Sequence, residues 1–514
     1  MKRGSARASA RFVSGWEPFS SLRLSSKDEE CHPDPVPALH DLVSVAVASA
    51  GSHGGYFEFD SPIKPTNLPL RFSERRVHGL KLRLLDSPGT DLLDYQRIPD
   101  AFNEPAIVEI LRTHGAKLHI DAFHFPHLLG AMPEHISRFS RKETAYWFHA
   151  PSAEAGWKSL YGRKSVKHAL SKAKRELDLR MVTLTDPEEM SSWLGVLGQL
   201  QRERLRLDHK PCPFDQPFRA DQYRAVLSLS RLTLVFDGDR PLAVHWGFVF
   251  DDLLLLHTPA VNIRYLDYSP FQILLAAVCM HCEEQGFSAL DFGHGNEAYK
   301  RRFANRRREL FDVFIPVSNR ALIIHGLRRV TSPTKVRLFA EDVVKRARVA
   351  RTLLRRLSTR VVYFASPTNR VSSDDATEGV FREFTNWPEV VDAFRRSERE
   401  LNRIHYDRIR LGDRLLCWSV NERLVSTGWL WSRDNERFFV SENGHWILAP
   451  GKGILYDFST PVDDRRKGYY THLLRAILRR YEGTPLIIYA LSTNAPSLRG
   501  IKRAGFIEVS EDQI

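Results

Sequence analysis

Residues 457–478 read DFSTPVDDRRKGYYTHLLRAIL. A strand-forming stretch, a short turn with three clustered cations, a glycine and the start of a helix follow in immediate succession. In the helix Leu473, Leu474, Ile477 and Leu478 share one face, while Arg475, Arg479 and Arg480 take the other. Such a junction aims several backbone N–H groups and the positive end of a helix dipole at one spot, which suits a phosphate or diphosphate. Arg465, Arg466 and Lys467 add charge there, and Gly468 lets the backbone approach closely.

The flanking segments GILYDFST and PLIIYAL read as strands, preceded by DRLLCWSV, RLVSTGWLW and ERFFV. The same order of strands, helix and strand occurs earlier, in LTLVFDG, PLAVHWGFVF, LLLLHT and SALDFG. An Asp-Gly turn at Asp237-Gly238 predicts an antiparallel hairpin between the first two of these. Ser269-Pro270 opens the helical run FQILLAAVCMHCEEQG, with Ser as N-cap and Pro at the first helical position. That run is apolar almost all round, so it predicts a buried helix ending at Gly286. The recurrence predicts an α/β chain of α+β type: mixed sheets flanked by helices, in tandem modules, two in the central part and one C-terminal.

With 514 residues, 43% of them hydrophobic, the chain is large and apolar enough for about three folded units, and broad disorder is excluded. No apolar stretch approaches the roughly 18 residues of a membrane-spanning helix. Five cysteines, Cys31, Cys212, Cys279, Cys282 and Cys417, form no disulfide framework and point to a reducing compartment. Cys279 and Cys282 lie in the apolar helix with no second ligand pair downstream, so they read as ordinary core residues, and no metal site is expected. The excess of 75 Lys+Arg over 62 Asp+Glu gives a net charge of +13. Residues 1–40 are expected to be a disordered basic extension and 331–362 a basic helical linker.

The 465–470 hexapeptide resembles the diphosphate signature of the GNAT superfamily of acyl-CoA-dependent acyltransferases, matching up to its last position, where Tyr470 stands in place of Gly or Ala. Asn494, Ser497, Gly505 and Phe506 satisfy a second spacing of that family. The resemblance implies a C-terminal GNAT domain over 363–514. Arg465, Arg466, Lys467, Gly468, Tyr469, Asn494 and Ser497 would then contact acetyl-CoA or another acyl-CoA, and pantetheine would insert between two splayed strands. Many relatives use a Tyr seven residues after the Asn as the acid for the leaving thiolate; here that position is Ile501. Tyr470 or Tyr489 are the candidate substitutes, and Asp457 is the candidate base, unless it pairs with a nearby Arg.

Residues from about 80 to 330 resemble the CelD/BcsL-like acetyltransferases, a double GNAT fold related to the Fem-type peptidyl transferases, which implies such a domain over 41–330. The blocks DSPGTDLLDYQRIPD, WKSLYGRKSVKHALSKAKRELDL, DYSPFQILL and DFGHGNEAYKRRF carry this likeness. It implies a donor contact at Ser269, with Phe271 standing where the family has Gly. Asp291 is either a base, with Tyr299 and Lys300 on thioester or acceptor phosphate, or one half of a structural Asp291–Lys300 ion pair.

Together these readings predict a cytoplasmic acyltransferase moving an acyl group from CoA to an amine or hydroxyl of a sugar, polysaccharide precursor or envelope metabolite. An anionic acceptor, and peripheral contact with the inner face of a membrane, follow from the basic helices. Fem-like transfer from aminoacyl-tRNA and a scaffold with degenerate modules stay open as alternatives. No zinc finger, RNP pattern or helix-turn-helix is present, so specific nucleic-acid binding is not expected.

Overall fold

The computed structural model describes residues 9–14, 54–60, 66–77, 80–86, 96–150, 153–216, 219–250, 252–330, 360–367, 379–433, 437–440, 445–448, 451–510 and 513. They divide into two compact units, Met1–Arg204 with Pro211–Val336, and Arg337–Ile514 with Leu205–Lys210.

The first unit begins with β1 (Ser9–Ser14), β2 (Gly54–Asp60), β3 (Thr66–Val77) and β4 (Leu80–Asp86), paired antiparallel in sequence. The appearance of β1 corrects the expectation of disorder over 9–14. Its register sets Phe12 opposite Phe57, and this β-prone stretch completes a backbone ladder. The rest of residues 1–40 lies outside the described residues. β5 (Gln96–Arg97), α1 (Ile107–Lys117), β6 (Ala122–Leu129) and β7 (Ser140–His149) complete the first half.

The second half holds α2 (Ala153–Tyr161), α3 (Lys164–Glu176), β8 (Leu179–Leu184), β9 (Ser230–Asp237), β10 (Arg240–Phe250), β11 (Leu253–Val261), α4 (Pro270–Gln285), β12 (Ala289–His294), α5 (Ala298–Phe303) and β13 (Arg306–Pro316). The β9–β10 hairpin closes with Asp237 opposite Arg240, so Gly238 and Asp239 form its turn as expected. α4 is buried along most of its length and stops at Gly286, whose φ of +74° is the left-handed conformation that ends helices.

These strands make one sheet in the order β1-β2-β3-β4-β6-β13-β7-β12-β11-β10-β9-β8, with β5 on β6. Its centre is an exchange between halves. β13 from the second half pairs with β6 of the first, and β7 from the first pairs with β12 of the second. The two halves therefore share one backbone ladder through the β7–β13 pair.

The second unit is a sheet of β15 (Val380–Phe384), β16 (Arg414–Val420), β17 (Arg423–Trp431), β20 (Gly453–Ser459), β21 (Leu486–Leu491), β14 (Val361–Ala365) and β22 (Ile507–Val509), in that order. A separate hairpin, β18 (Arg437–Val440) with β19 (His445–Leu448), packs Phe438 into the core beside Trp431 and Ile454. α6 (Tyr469–Arg480) and α7 (Ala495–Ala504) cover one face through Leu473, Leu474, Ile477 and Ile501. Of the basic linker at 331–362, residues 331–359 lie outside the described residues, while Val361 already belongs to β14.

Candidate active site

In the second unit the parallel strands β20 and β21 pair only at Gly453–Leu486, Ile454–Ile487 and Leu455–Ile488, then diverge. Divergence starts where β20 bulges: Asp457 and Phe458 together oppose Gly428, and Asp457 takes φ +50°. Beyond the strand, Arg466 and Gly468 both adopt left-handed backbone, at φ +67° and +83°, before α6 begins. Among the described residues, the consecutive backbone N–H groups of Arg466 to Thr471 have no acceptor; the next, His472, donates to the Gly468 carbonyl. Six unengaged N–H groups at a helix N-terminus form a cradle for an anion.

The cations around that cradle are partly committed. Asp464, wholly buried, accepts from Arg423 at 2.7 Å and Lys467 at 3.3 Å. Burial would raise its carboxyl, but these two cations prevail and hold it below the usual range. Arg465 donates to the Thr460 carbonyl, 3.2 Å away. Arg466 and Tyr469 stand at the cradle, Arg466 exposed and Tyr469 packed partly buried against the core.

Asp457, Asn494 and Tyr470 each have a partner in the structure. Asp457 is a surface carboxylate bonded to Arg408 at 2.6 Å, the pairing that was the alternative to a catalytic role. Asn494 caps α7 by accepting from the Ser497 N–H, so its carbonyl serves the helix. Tyr470 shares a 3.2 Å hydrogen bond with Ser497 and packs edge-on against Phe458, ring centroids 5.3 Å apart. Burial pushes its phenol up to about 12. Gly500 leaves room for that ring, since a Cβ there would lie 2.7 Å from it. Tyr470 thus bridges β20 and α7 across the path where a chain would enter the wedge. Where the strands part, Phe438 sits 5.1 Å from Tyr456 and 6.1 Å from Tyr489. The cradle is formed, and aromatic rings occupy the divergence behind it.

In the first unit β11 and β12 are also parallel and also part early, pairing only at Leu253–Ala289, Leu254–Leu290 and Leu255–Asp291. The helix that follows β11 offers less to a diphosphate. Ser269 takes φ +55° without capping through its side chain, Pro270 has no N–H, and Gln272 and Ile273 donate to the Ser269 carbonyl. The departure at Phe271 has a structural consequence: its ring packs edge-on against Tyr299, centroids 4.8 Å apart. Lys172 of α3 reaches this corner, donating to the Asp267 carbonyl at 3.2 Å and lying over the Tyr268 ring.

Asp291 is wholly buried, and the Asp291–Lys300 pair, one of the two alternatives for it, is not formed. Asp291 accepts from the Gly293 N–H at 2.8 Å and pairs with Arg308 of β13. Lys300 instead reaches the His294 carbonyl and Glu297. The reason is register: Asp291 and Arg306 both stand opposite Trp147 of the intervening β7, and Arg308 is opposite Ala145, so the guanidinium reaches Asp291 across β7.

Comparison with known proteins decides which chemistry this architecture belongs to. Residues 162–301 match the model of the acetyltransferase (GNAT) domain. That match makes this stretch an acyltransferase domain, with acyl-CoA the substrate its class uses. The chain is similar to the C-terminal domain of a putative lysylphosphatidylglycerol synthetase from Agrobacterium fabrum, at 10% identity over 56% of this chain and 91% of that one, TM-score 0.37. It is similar to FemX at 10% identity over 55% and 92%, TM-score 0.36. It is similar to a GCN5-related N-acetyltransferase from Kribbella flavida at 9% identity over 61% and 72%, TM-score 0.30. No curated protein matches the sequence.

The first unit contains a polar seam that the sequence did not reveal, and all of it but His294 lies outside the matched stretch. On the exchanged strands β7 and β13, Arg141 stands opposite Asp312, Glu143 opposite Leu310 and Ala145 opposite Arg308, all on one face. His124 of β6 lies between Asp86 at 3.3 Å and Asp312 at 3.0 Å. Burial opposes its charge, but the two carboxylates prevail and raise its pKa. His127 bonds Glu143 through Nδ1 at 3.1 Å and stacks on His294 with centroids 3.8 Å apart. The signal available in the sequence was Pro126 inside a strand, which marks a bulge. Pro126 and His127 together oppose Asp312, and His127 takes φ +58°.

Proposed function

We propose that the protein transfers an acyl group from acyl-CoA to an amine or hydroxyl, with transfer at the divergence of β11 and β12. The observation that carries the reading is the coincidence of the matched GNAT domain with a parallel strand pair that parts after Leu255 and Asp291. The acceptor is a sugar, polysaccharide precursor or related envelope metabolite, as the likeness of residues from about 80 to 330 implies. An anionic acceptor, or one presented at a membrane surface, fits the exposed cations Lys158, Lys164, Lys167, Lys174 and Arg175 on α2 and α3 and Arg301 and Arg302 on α5. Among the described residues no helix is long and apolar enough to cross a membrane.

In the second unit, the cradle at 466–471 is a separate site for the diphosphate of an acyl-CoA, where Tyr470, Phe458 and Phe438 keep the thioester arm out. A second reading, aminoacyl-tRNA as donor, is favoured by the start of α4, where Pro270 has no N–H to offer a diphosphate, and by the basic face of α3. Calorimetry with acetyl-CoA and thiol-release assays on unaltered protein and Gly468→Glu test the assignment. Gly468→Glu places a carboxylate in the cradle at a left-handed position. The expected result is loss of binding at that cradle with thiol release retained. Thiol release abolished by Gly468→Glu would move the transfer site to the second unit. Absence of both binding and release would leave aminoacyl-tRNA as the donor to test.

A further inference from the structure

Two carboxylates in the GNAT domain and its C-terminal counterpart, Asp291 and Asp457, are committed to arginines, so neither is poised to take a proton. The polar seam supplies a group that is. His127 and Glu143 are half-buried, contributed by β6 and β7 of the first half. The bulge at Pro126 turns His127 out of the strand's regular alternation. Glu143 fixes its Nδ1 at 3.1 Å, which sets the ring orientation. Among the described residues no group bonds Nε2. The ring stacks on His294, three residues beyond Asp291 on β12, where β11 has already parted from β12. Arg141 bonds the other Glu143 oxygen and also reaches Asp312. Burial would raise the Glu143 carboxyl; the bonds from His127 and Arg141 outweigh it and hold it ionised.

We propose that His127, positioned by Glu143, is the general base of acyl transfer, an inference that rests on placing transfer at the β11–β12 divergence. Nε2 takes the proton from the acceptor N–H or O–H as that atom attacks the thioester carbonyl. The new C–N or C–O bond forms, the C–S bond breaks, and the thiolate leaves to receive the proton from the imidazolium. The strand exchange is then what completes the site: the first half supplies the base and the second half the donor wedge.

The test uses the full chain, with thiol release from acetyl-CoA and water or glucosamine as acceptor. His127→Gly suits the left-handed backbone, so the fold is retained. The expected result is a fall in kcat of about 10²–10⁴-fold, with unchanged acetyl-CoA affinity by calorimetry and partial rescue by added imidazole. Glu143→Gln should lower kcat without raising KM, and Glu143→Asp should restore part of the loss. Wild-type kcat in His127→Gly, or a loss that imidazole does not rescue while acetyl-CoA affinity holds, overturns the inference and leaves the acyltransfer reading standing. No thiol release by the unaltered protein overturns that reading and this inference with it.

Discussion

Replacing Arg308 with Met tests whether Asp291 is a strut or a base. The Asp291 carboxylate is wholly buried; Arg308 engages one oxygen, and the other accepts from the Gly293 N–H. Removing the guanidinium leaves a buried charge poorly compensated, which costs about 3–5 kcal/mol. The guanidinium also lies 5.5 Å over the Trp147 ring, and losing that contact adds to the cost. For a unit of this size the melting transition should fall by roughly 6–10 °C, at about 2 °C per kcal/mol. The double variant Arg308→Met/Asp291→Asn carries no charge into the core and should recover most of the loss, so the cycle yields a large coupling energy. Calorimetric melting of the four proteins measures it. Thiol release assayed below the transition then separates the roles. Asp291→Asn should keep kcat within a few-fold of the parent. A 10²-fold loss of kcat at unaltered stability would make Asp291 the base and refute both the strut and the role given to His127.

Gly500→Ala in α7 should destabilise by about 1–3 kcal/mol, because its Cβ would lie 2.7 Å from the Tyr470 ring. In a Tyr470→Ala background the same change should stabilise by several tenths of a kcal/mol through helix propensity, and denaturant melts read both signs. His245 is wholly buried and its pKa is depressed to about 3 by burial, with His257 and His281 adding to the effect. Because the unfolded state binds a proton near pH 6.5 and the native state does not, stability falls as pH drops below 6.5. At pH 5 this amounts to about 2 kcal/mol, visible as a flatter pH dependence in His245→Met. His405, depressed to about 4 chiefly by burial, acts with the same sign in the second unit. Ile501→Ala should cost about 2–5 kcal/mol and leave kcat unchanged, since this side chain is wholly buried in the core.

Local patterns carried much of the architecture. The Gly238-Asp239 turn, the all-apolar α4 and the β20–cradle–α6 junction each follow from residues within one or two turns of chain, where hydrophobic period and turn chemistry act. The exchange of β7 and β13 does not, because strands that pair across more than 150 residues leave no mark on either one's period. The same gap hides the partner of Asp291: Lys300 is nine residues on in sequence, whereas Arg308 reaches Asp291 from the far side of β7. It also hid His127 and Glu143, which are adjacent only through the β6–β13–β7 ladder. β14 was similarly silent: VVYFA reads as a strand, but nothing in it tells that it inserts between β21 and β22.

Among the described residues three parallel strand pairs part after three paired positions, and they have met different ends. β4 and β6 pair at Leu84–Ala122 to Asp86–His124, and β5 then takes up the ladder of β6 at Leu128 and Leu129, so the gap is filled by backbone. β20 and β21 part, and the rings of Phe438 and Tyr470 take the space, although the anion cradle beside them is intact. β11 and β12 part beside polar groups, half-buried His294 stacked on His127 and buried Lys300 bonded to the His294 carbonyl. Filling by backbone or aromatic rings favours rigidity and excludes a thioester arm. A partly open polar edge costs stability unless its groups are satisfied, so its retention at one of the three pairs needs a compensating function. If that function is proton transfer, aromatic replacement of His127 should make the first unit more stable as it abolishes turnover. His127→Phe, compared with His127→Gly for melting temperature and thiol release, measures that trade. A His127→Phe protein that is both less stable and still active would remove the argument.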